Sequence, residues 1–142
     1  MKNVGIEAMN VYGGTAYIDV IELMKHRNLD VRRVENLLMK EKSVALTYED
    51  PVTYAVNAAK PLVDSLSEEE KNSIELVITA SESGIDFGKA LSTYVHEHLD
   101  LIRNCRLFEL KQACYSGTAA MQMALSYVLS QVRPGAKALV IA

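Results

Sequence analysis

Residues 110–132 read LKQACYSGTAAMQMALSYVLSQV, an apolar stretch that opens with a cysteine, two hydroxyl side chains and a glycine. Few polar positions follow on any face of the helix that this stretch predicts. We therefore expect a helix over residues 114–132 that is buried on most of its sides. Ser116, Gly117 and Thr118 keep its first turn small, so that a ligand can approach the backbone there.

The segments around this helix indicate the fold class. CRLFELKQA, residues 105–113, precedes the helix and is typical of a strand, while KALVIA, residues 137–142, follows it after a turn. ELVITA, residues 75–80, is an earlier short apolar run with β-branched residues, which predicts a buried strand. A helix is expected between the strands at residues 75–80 and 105–113. The order from residue 75 onward is therefore β-α-β-α-β. This order predicts an α/β fold with a largely parallel sheet and right-handed crossovers.

The first half of the chain has less decisive patterns. VGIEAMNVY, residues 4–12, indicates a first strand, and YIDVIELMKH, residues 17–26, has helical spacing. Asp30 would cap a second helix over residues 31–39. The acidic run SEEEKNS, residues 67–73, is interpreted as an exposed turn.

Composition and charge argue against several classes of function. The 142 residues are 49% hydrophobic and 23% charged with a formal net charge of −3, which suits one globular domain with a core. No run of Lys or Arg points to nucleic acid or an anionic membrane. No apolar run approaches the roughly 20 residues that span a bilayer. The start has no signal-peptide pattern, so Cys105 and Cys114 are expected to be free thiols in the cytoplasm.

Cys114 falls where a predicted strand meets a predicted helix. Reacting groups in open α/β sheets collect at the carboxyl ends of strands, and a helix N-terminus carries partial positive charge and unpaired N–H groups. Both would favour thiolate over thiol, as a nucleophile requires. A small buried core residue is the alternative, and the flanking residues leave both interpretations open. For Cys105, beside Arg106 in mid-strand, the core interpretation is favoured.

Glu82 lies in TASESG, residues 79–84, directly after the ELVITA strand. Two adjacent strand ends could bring its carboxylate near Cys114, where a partly apolar cleft would suit it as an acid or base. Taken alone, a loop carboxylate in water or at a helix cap is the favoured alternative. HEHLD, residues 96–100, differs from the zinc motif HExxH because Asp100 replaces the second histidine, so no metal site is predicted.

The segments KQACYSGTAA (111–120), ITASES (78–83) and MNVYGGTAYIDV (9–20) resemble 3-hydroxy-3-methylglutaryl-CoA synthases, a branch of the thiolase superfamily. ENLLMKEKSVAL (35–46) and EDPVTYAVNAAKP (49–61) resemble in particular the synthases of polyketide β-branching, which act on acyl carrier proteins. The resemblance covers the whole chain but only the N-terminal portion of such an enzyme. It implies the N-terminal half of a thiolase-like layered fold, with helices covering a mixed, largely parallel sheet.

The resemblance also implies roles for individual residues. Cys114 matches the nucleophile that takes an acetyl group from a thioester, and Glu82 matches the acid/base that removes a proton from the acetyl methyl. The carbanion equivalent then adds to the β-ketone of a second thioester, and water releases the product. Arg33 falls where the family carries a basic residue near the pantetheine phosphate, although a solvated helix face is the alternative for the Arg32 and Arg33 pair. The third catalytic residue, a histidine, would lie beyond residue 142.

The implied substrates are phosphopantetheine or CoA thioesters, with no bound cofactor, and the implied partners are donor and acceptor acyl carrier proteins and a second copy in a homodimer. Because the chain ends on an apolar strand, we expect residues 1–142 to be part of a thiolase-fold domain that a further segment completes. Two other functions remain open. One is a ketoacyl synthase type of condensing enzyme, which would not need Glu82, and the other is a non-catalytic fragment of a split enzyme.

Overall fold

A computed structural model describes residues 3–142. Clustering of the chain gives two compact units: a smaller unit of Tyr12–Asp50, and a larger unit of the residues before Tyr12 together with Pro51–Ala142. The elements in chain order are β1 (Ala16–Asp19), α1 (Val20–His26), α2 (Arg32–Glu35), β2 (Glu41–Val44), α3 (Pro51–Asp64), α4 (Glu68–Asn72), β3 (Ile74–Ala80), α5 (Leu91–His98), β4 (Arg106–Leu110), α6 (Ser116–Ser130) and β5 (Lys137–Ile141).

The larger unit is built on a parallel sheet in the order β4-β3-β5. β3 occupies the centre, and its residues Val77, Ile78 and Thr79 are completely buried. A largely apolar strand suits this position, because a central strand of an α/β sheet is covered on both faces. The predicted α/β class and the parallel β-α-β-α-β arrangement are confirmed.

Helices cover both faces of this sheet, and each face has its own core cluster. Val77 belongs to the cluster that includes Val63 of α3 and Val95 of α5. Ile78 points to the opposite face, where its cluster includes Ala120 of α6. Successive residues of a strand point to opposite faces, so β3 supplies both clusters. Because helices cover both faces of the sheet, the loops lie at the ends of its strands.

The prediction that the 114–132 helix is buried on most sides is wrong, and so is its start. α6 begins at Ser116 and packs on the sheet through a narrow stripe that includes Ala120 and Ala124. Its larger side chains Met121 and Leu125 are 42% and 44% exposed. Small residues at a spacing of four let the helix approach the sheet with one face, which turns the bulkier apolar side chains away from it.

The smaller unit contains an antiparallel pair of strands, β1 and β2, with Ala16 opposite Val44. Two predictions for this unit are wrong. The helix predicted over residues 17–26 begins only at Val20, because Asp19 has an extended backbone and its side chain accepts the N–H of Glu22. These are the properties of an N-cap residue.

The helix predicted over residues 31–39 is limited to the four residues of α2. Asp30 does bond to its start, since its Oδ1 accepts the N–H of Arg32 at 3.1 Å. Leu38 has a φ of +52°, a left-handed conformation that an α-helix cannot continue through. The N-cap of α2 is Val31, which has no capping side-chain hydrogen bond, so both the predicted N-cap and the predicted length are wrong, although Asp30 one residue earlier does bond to the first turn.

Residues 4–12 do not form the predicted strand. Ile6, Met9 and Val11 are all more than 60% exposed, so the apolar side chains of this segment have no sheet face to pack against. The acidic run of residues 67–73 is exposed as expected but is helical rather than a turn. Its helix α4 is stabilised by a capping box, in which Ser67 and Glu70 bond to each other's backbone N–H.

In the part of the chain that the structure describes, no helix has the length and apolar character that crossing a bilayer requires.

Candidate active site

The ends of β3 and β4 lie side by side because Ala80 pairs with Leu110 in the parallel register. The pairing continues one step past the strand end, where the N–H of Ser81 donates to the carbonyl of Leu110 at 3.3 Å. Glu82 follows β3 by two residues, and Cys114 follows β4 by four. The loops that carry these two residues therefore leave the same edge of the sheet as neighbours.

A tight turn over residues 112–116 connects β4 to α6. The N–H of Tyr115 donates to the carbonyl of Gln112 at 3.0 Å, and the N–H of Ser116 donates to the carbonyl of Ala113 at 3.2 Å. The hydroxyl of Ser116 donates to that same carbonyl at 2.9 Å. Ala113 has a φ of +43°, a left-handed conformation that is uncommon for a residue with a Cβ. The turn therefore redirects the chain at the residue before Cys114.

The turn brings the two predicted catalytic residues into contact. The sulfur of Cys114 lies 3.6 Å from Oε1 of Glu82, a distance at which a thiol donates to a carboxylate. Both side chains are exposed, so a small molecule in solvent can reach the sulfur. The expected proximity of these two residues is observed. Glu82 does not lie in a partly apolar cleft as expected, because the described residues leave its side chain open to water.

Gly84 closes the short loop that carries Glu82. A Cβ at this position would lie only 2.5 Å from Cε of Lys111, so the lysine side chain passes directly over the glycine. Lys111 follows β4 and lies three residues before Cys114. This contact links the loop of Glu82 to the segment of Cys114. The absence of a Cβ at Gly84 leaves room for the flexible end of the lysine side chain in this position.

Cys105 lies just before β4 rather than in its middle, and it packs against the core cluster of Val77. Its thiol is half-buried, and this burial raises its pKa to about 11, with a smaller contribution from the negative charge of Glu75. A thiol with a raised pKa is a poor nucleophile near neutral pH. The two cysteines therefore differ in accessibility, and Cys114 is the exposed one.

Arg33 lies on α2 of the smaller unit with its side chain exposed. Its neighbour Arg32 forms an ion pair with Asp30 at 2.7 Å, so that guanidinium is already engaged. Within residues 3–142, no three His, Cys, Asp or Glu side chains are grouped in a way that could hold a metal ion.

Sequence reasoning did not identify Ala113 and Ser116 as residues that shape the site. Ser116 was identified only as a small residue of the first turn, and Ala113 not at all. A left-handed alanine has no sequence signature, because Gly and Asn are the residues that favour this conformation. A serine at the first position of an apolar helix is the signal that was available, since its hydroxyl commonly bonds to a nearby backbone group.

Comparison with known sequences and structures extends these observations. The whole chain, residues 1–142, matches the family model for the N-terminal part of hydroxymethylglutaryl-coenzyme A synthase. It is 73% identical over 142 residues to the polyketide biosynthesis 3-hydroxy-3-methylglutaryl-ACP synthase PksG of Bacillus subtilis, covering all of this chain and 34% of that enzyme. It is 34% identical over 140 residues to the hydroxymethylglutaryl-CoA synthase of Enterococcus faecalis, covering 98% of this chain and 35% of that one.

Solved structures agree with these similarities. The solved structure of PksG, a HMG-CoA synthase from Bacillus subtilis, matches with a TM-score of 0.90 and 74% identity, over 96% of this chain and 33% of that one. The curacin biosynthetic pathway HMG synthase, in complex with holo donor-ACP, matches with a TM-score of 0.88 and 65% identity, again over 96% of this chain and 33% of that one. The chain thus spans about a third of the length of the relatives it matches. Its fold is that of the thiolase-like N-terminal part of these synthases, and the chain belongs to the hydroxymethylglutaryl-CoA synthase family.

Proposed function

We propose that the polypeptide containing this segment is an acyltransferase that condenses an acetyl thioester with a β-ketoacyl thioester through an acetyl-Cys114 intermediate. The product is a hydroxymethylglutaryl-type β-branched thioester of polyketide biosynthesis. The contact of 3.6 Å between the Cys114 sulfur and the Glu82 carboxylate is the observation that supports this chemistry. The 73% identity to a 3-hydroxy-3-methylglutaryl-ACP synthase supports the choice of substrates.

The first step is transfer of the acetyl group. The Cys114 sulfur attacks the carbonyl of the donor thioester, a new C–S bond forms, and the donor thiol leaves with a proton. The exposed position of Cys114 supports this role, because a thioester on a pantetheine arm must reach the sulfur from solvent.

The second step forms the carbon–carbon bond. Glu82 accepts a proton from the acetyl methyl, and the resulting carbanion equivalent adds to the β-ketone of the acceptor. The alkoxide is protonated, and water then cleaves the Cys114 thioester to release a free carboxylate and regenerate the thiol. The Glu82 contact supports this step, since an acetyl group on the sulfur would hold its methyl beside the carboxylate, and such placement accelerates proton transfer.

We further infer that donor and acceptor are carried by acyl carrier proteins, as phosphopantetheine thioesters, with CoA as the alternative carrier. The solved complexes of the curacin synthase with donor-ACP support this choice. Arg33 would bind the pantetheine phosphate, for which its exposed position is suitable. The catalytic histidine would be supplied by a segment after residue 142 that completes the thiolase-fold domain. A cytoplasmic homodimer completes the proposal, and the two free cysteines are consistent with that compartment.

The proposal is tested by replacing each cysteine in turn in the full-length polypeptide that contains residues 1–142. Acetyl-ACP and a β-ketoacyl-ACP are supplied, and the branched product is followed by mass spectrometry. Cys114→Ala should abolish product formation, while Cys105→Ala should retain it, because the Cys105 thiol is half-buried and has a raised pKa. Product formation by Cys114→Ala at the unmodified rate would refute the proposal and favour a non-catalytic role for this segment.

A further inference from the structure

The turn before α6 is held in an unfavourable backbone conformation next to the nucleophile. Ala113 has a φ of +43°, although a residue with a Cβ loses free energy in the left-handed region. Such conformations persist only where surrounding contacts impose them, and they cluster at functional sites. Ala113 is itself exposed, so no packing of its methyl group holds it there. The contacts that hold it must therefore act on its backbone.

Ser116 supplies two of these contacts. Both its N–H, at 3.2 Å, and its hydroxyl, at 2.9 Å, donate to the carbonyl of Ala113. Ser116 is only 4% exposed, so water does not compete for the hydroxyl. The shorter of the two bonds comes from the side chain, and it links the first residue of α6 to the residue before Cys114.

We infer that Ser116 is a positioning residue, whose buried hydroxyl locks the left-handed conformation of Ala113 and so aims the Cys114 sulfur at Glu82. This inference rests on the proposed roles of Cys114 and Glu82. Without the hydroxyl, the carbonyl of Ala113 keeps only the longer N–H bond, and the backbone at Ala113 can relax towards φ values that alanine prefers. Any such rotation moves Cys114, and a displacement of about 1 Å can slow an oriented reaction by about a hundredfold.

The test compares two serines of α6. Ser130 also donates its hydroxyl to the carbonyl three residues earlier, that of Tyr127, but it lies at the other end of the helix. In the full-length polypeptide, Ser116→Ala should lower kcat for condensation at least tenfold with KM for the acceptor within twofold, whereas Ser130→Ala should leave both unchanged. Wild-type kcat in Ser116→Ala would overturn the inference.

A rescue experiment distinguishes positioning from a general loss of structure. Glycine adopts positive φ without strain. Adding Ala113→Gly to Ser116→Ala should therefore raise kcat again, and the gain in log kcat should be at least half of the loss in log kcat that Ser116→Ala causes. No recovery in the double variant would overturn the inference. If Ser116→Ala does not fold, Ala113→Val decides instead. Valine is disfavoured at positive φ and this position is exposed, so kcat should fall at least tenfold while Cys105 stays protected from alkylation. Unchanged kcat in Ala113→Val would overturn the inference.

These outcomes are separable from those of the proposed function. If Cys114→Ala retains product formation, the proposed function fails whatever Ser116 does. If Cys114→Ala is inactive and Ser116→Ala is fully active, the proposed function stands and only the role of Ser116 is rejected.

Discussion

The sulfur of Cys114 lies 3.6 Å from Oε1 of Glu82, although the two residues are 32 positions apart in the sequence. The parallel register explains this contact, because Ala80 and Leu110 are paired and each chain leaves the same edge of the sheet shortly afterwards. Loops at this edge are held by the strands beneath them, so the relative position of the thiol and the carboxylate is set by the sheet.

Glu82→Gln should separate the two chemical steps. Glutamine is nearly isosteric with glutamate but cannot accept a proton from the acetyl methyl, so acetyl-Cys114 should still form while condensation slows at least about a hundredfold. Peptide mass spectrometry measures the first step and product analysis the second. Glu69→Gln, on the exposed helix α4, is the matched control and should behave as wild type. Unchanged condensation in Glu82→Gln would instead favour a ketoacyl synthase type of enzyme.

Glu109 caps α5 from a neighbouring strand. Its Oε2 accepts the N–H of Leu91 at 2.8 Å, and its side chain is 8% exposed. The N-cap residue Ala90 has no side-chain hydrogen bond of its own to offer. Glu109→Ala should therefore lower the free energy of unfolding by about 1.5–3 kcal/mol, the usual range for a hydrogen bond to a charged group. Urea unfolding measures the change, and Glu97→Ala at the exposed end of α5 should cost less than about 0.5 kcal/mol. Equal effects would reject the capping role.

Cys105 should show a characteristic pH dependence. Burial raises the pKa of its thiol to about 11 in the folded protein, against about 8.5 for an exposed thiol. The free energy of unfolding should therefore keep the full contribution of this thiol below about pH 8.5. That contribution should be lost as the pH rises towards 11, because the unfolded state releases the proton first.

The two cysteines should also differ in their rate of alkylation. At pH 8, iodoacetamide should modify Cys114 much faster than Cys105, as peptide-resolved mass spectrometry can measure. Equal rates at the two thiols would contradict this assignment.

The centre of β3 should be sensitive to the loss of side-chain volume. Ile78 is completely buried, so Ile78→Val should cost about 0.5–1.5 kcal/mol of unfolding free energy and Ile78→Ala about 2–5 kcal/mol. Ile85 is 44% exposed in the loop after Glu82 and provides the matched control. Ile85→Ala should cost less than about 1 kcal/mol. A similar loss at both positions in denaturant unfolding would show that β3 is not the centre of the core.

The parallel sheet could be predicted because each of its strands is a short apolar run bounded by polar or turn residues. β3 is the clearest case, since a strand buried on both faces needs no partner to be recognised. Residues 4–12 and 17–19 were assigned wrongly because mixed polarity does not show whether a segment has a strand to pair with. For Tyr17 and Ile18 that partner is β2, whose residues Glu41–Val44 are all exposed and gave no apolar signal.

The candidate site was predictable only in the part that the sheet positions. The rule that strand ends share an edge predicted the proximity of Cys114 and Glu82. The backbone conformation of Ala113 was not predictable, because it depends on hydrogen bonds from Ser116 rather than on the preference of alanine. The exposure of one side of α6 was also missed, since apolar content alone does not tell which face the sheet covers.

Trapping the covalent intermediate tests the central claim most directly. The full-length polypeptide containing residues 1–142 is incubated with acetyl-ACP alone, digested, and analysed by peptide mass spectrometry. The proposed mechanism predicts one acetyl group on Cys114, none on Cys105, and none on either residue in Cys114→Ala. Absence of acetyl-Cys114 under these conditions, or equal acetylation of Cys105, would contradict it.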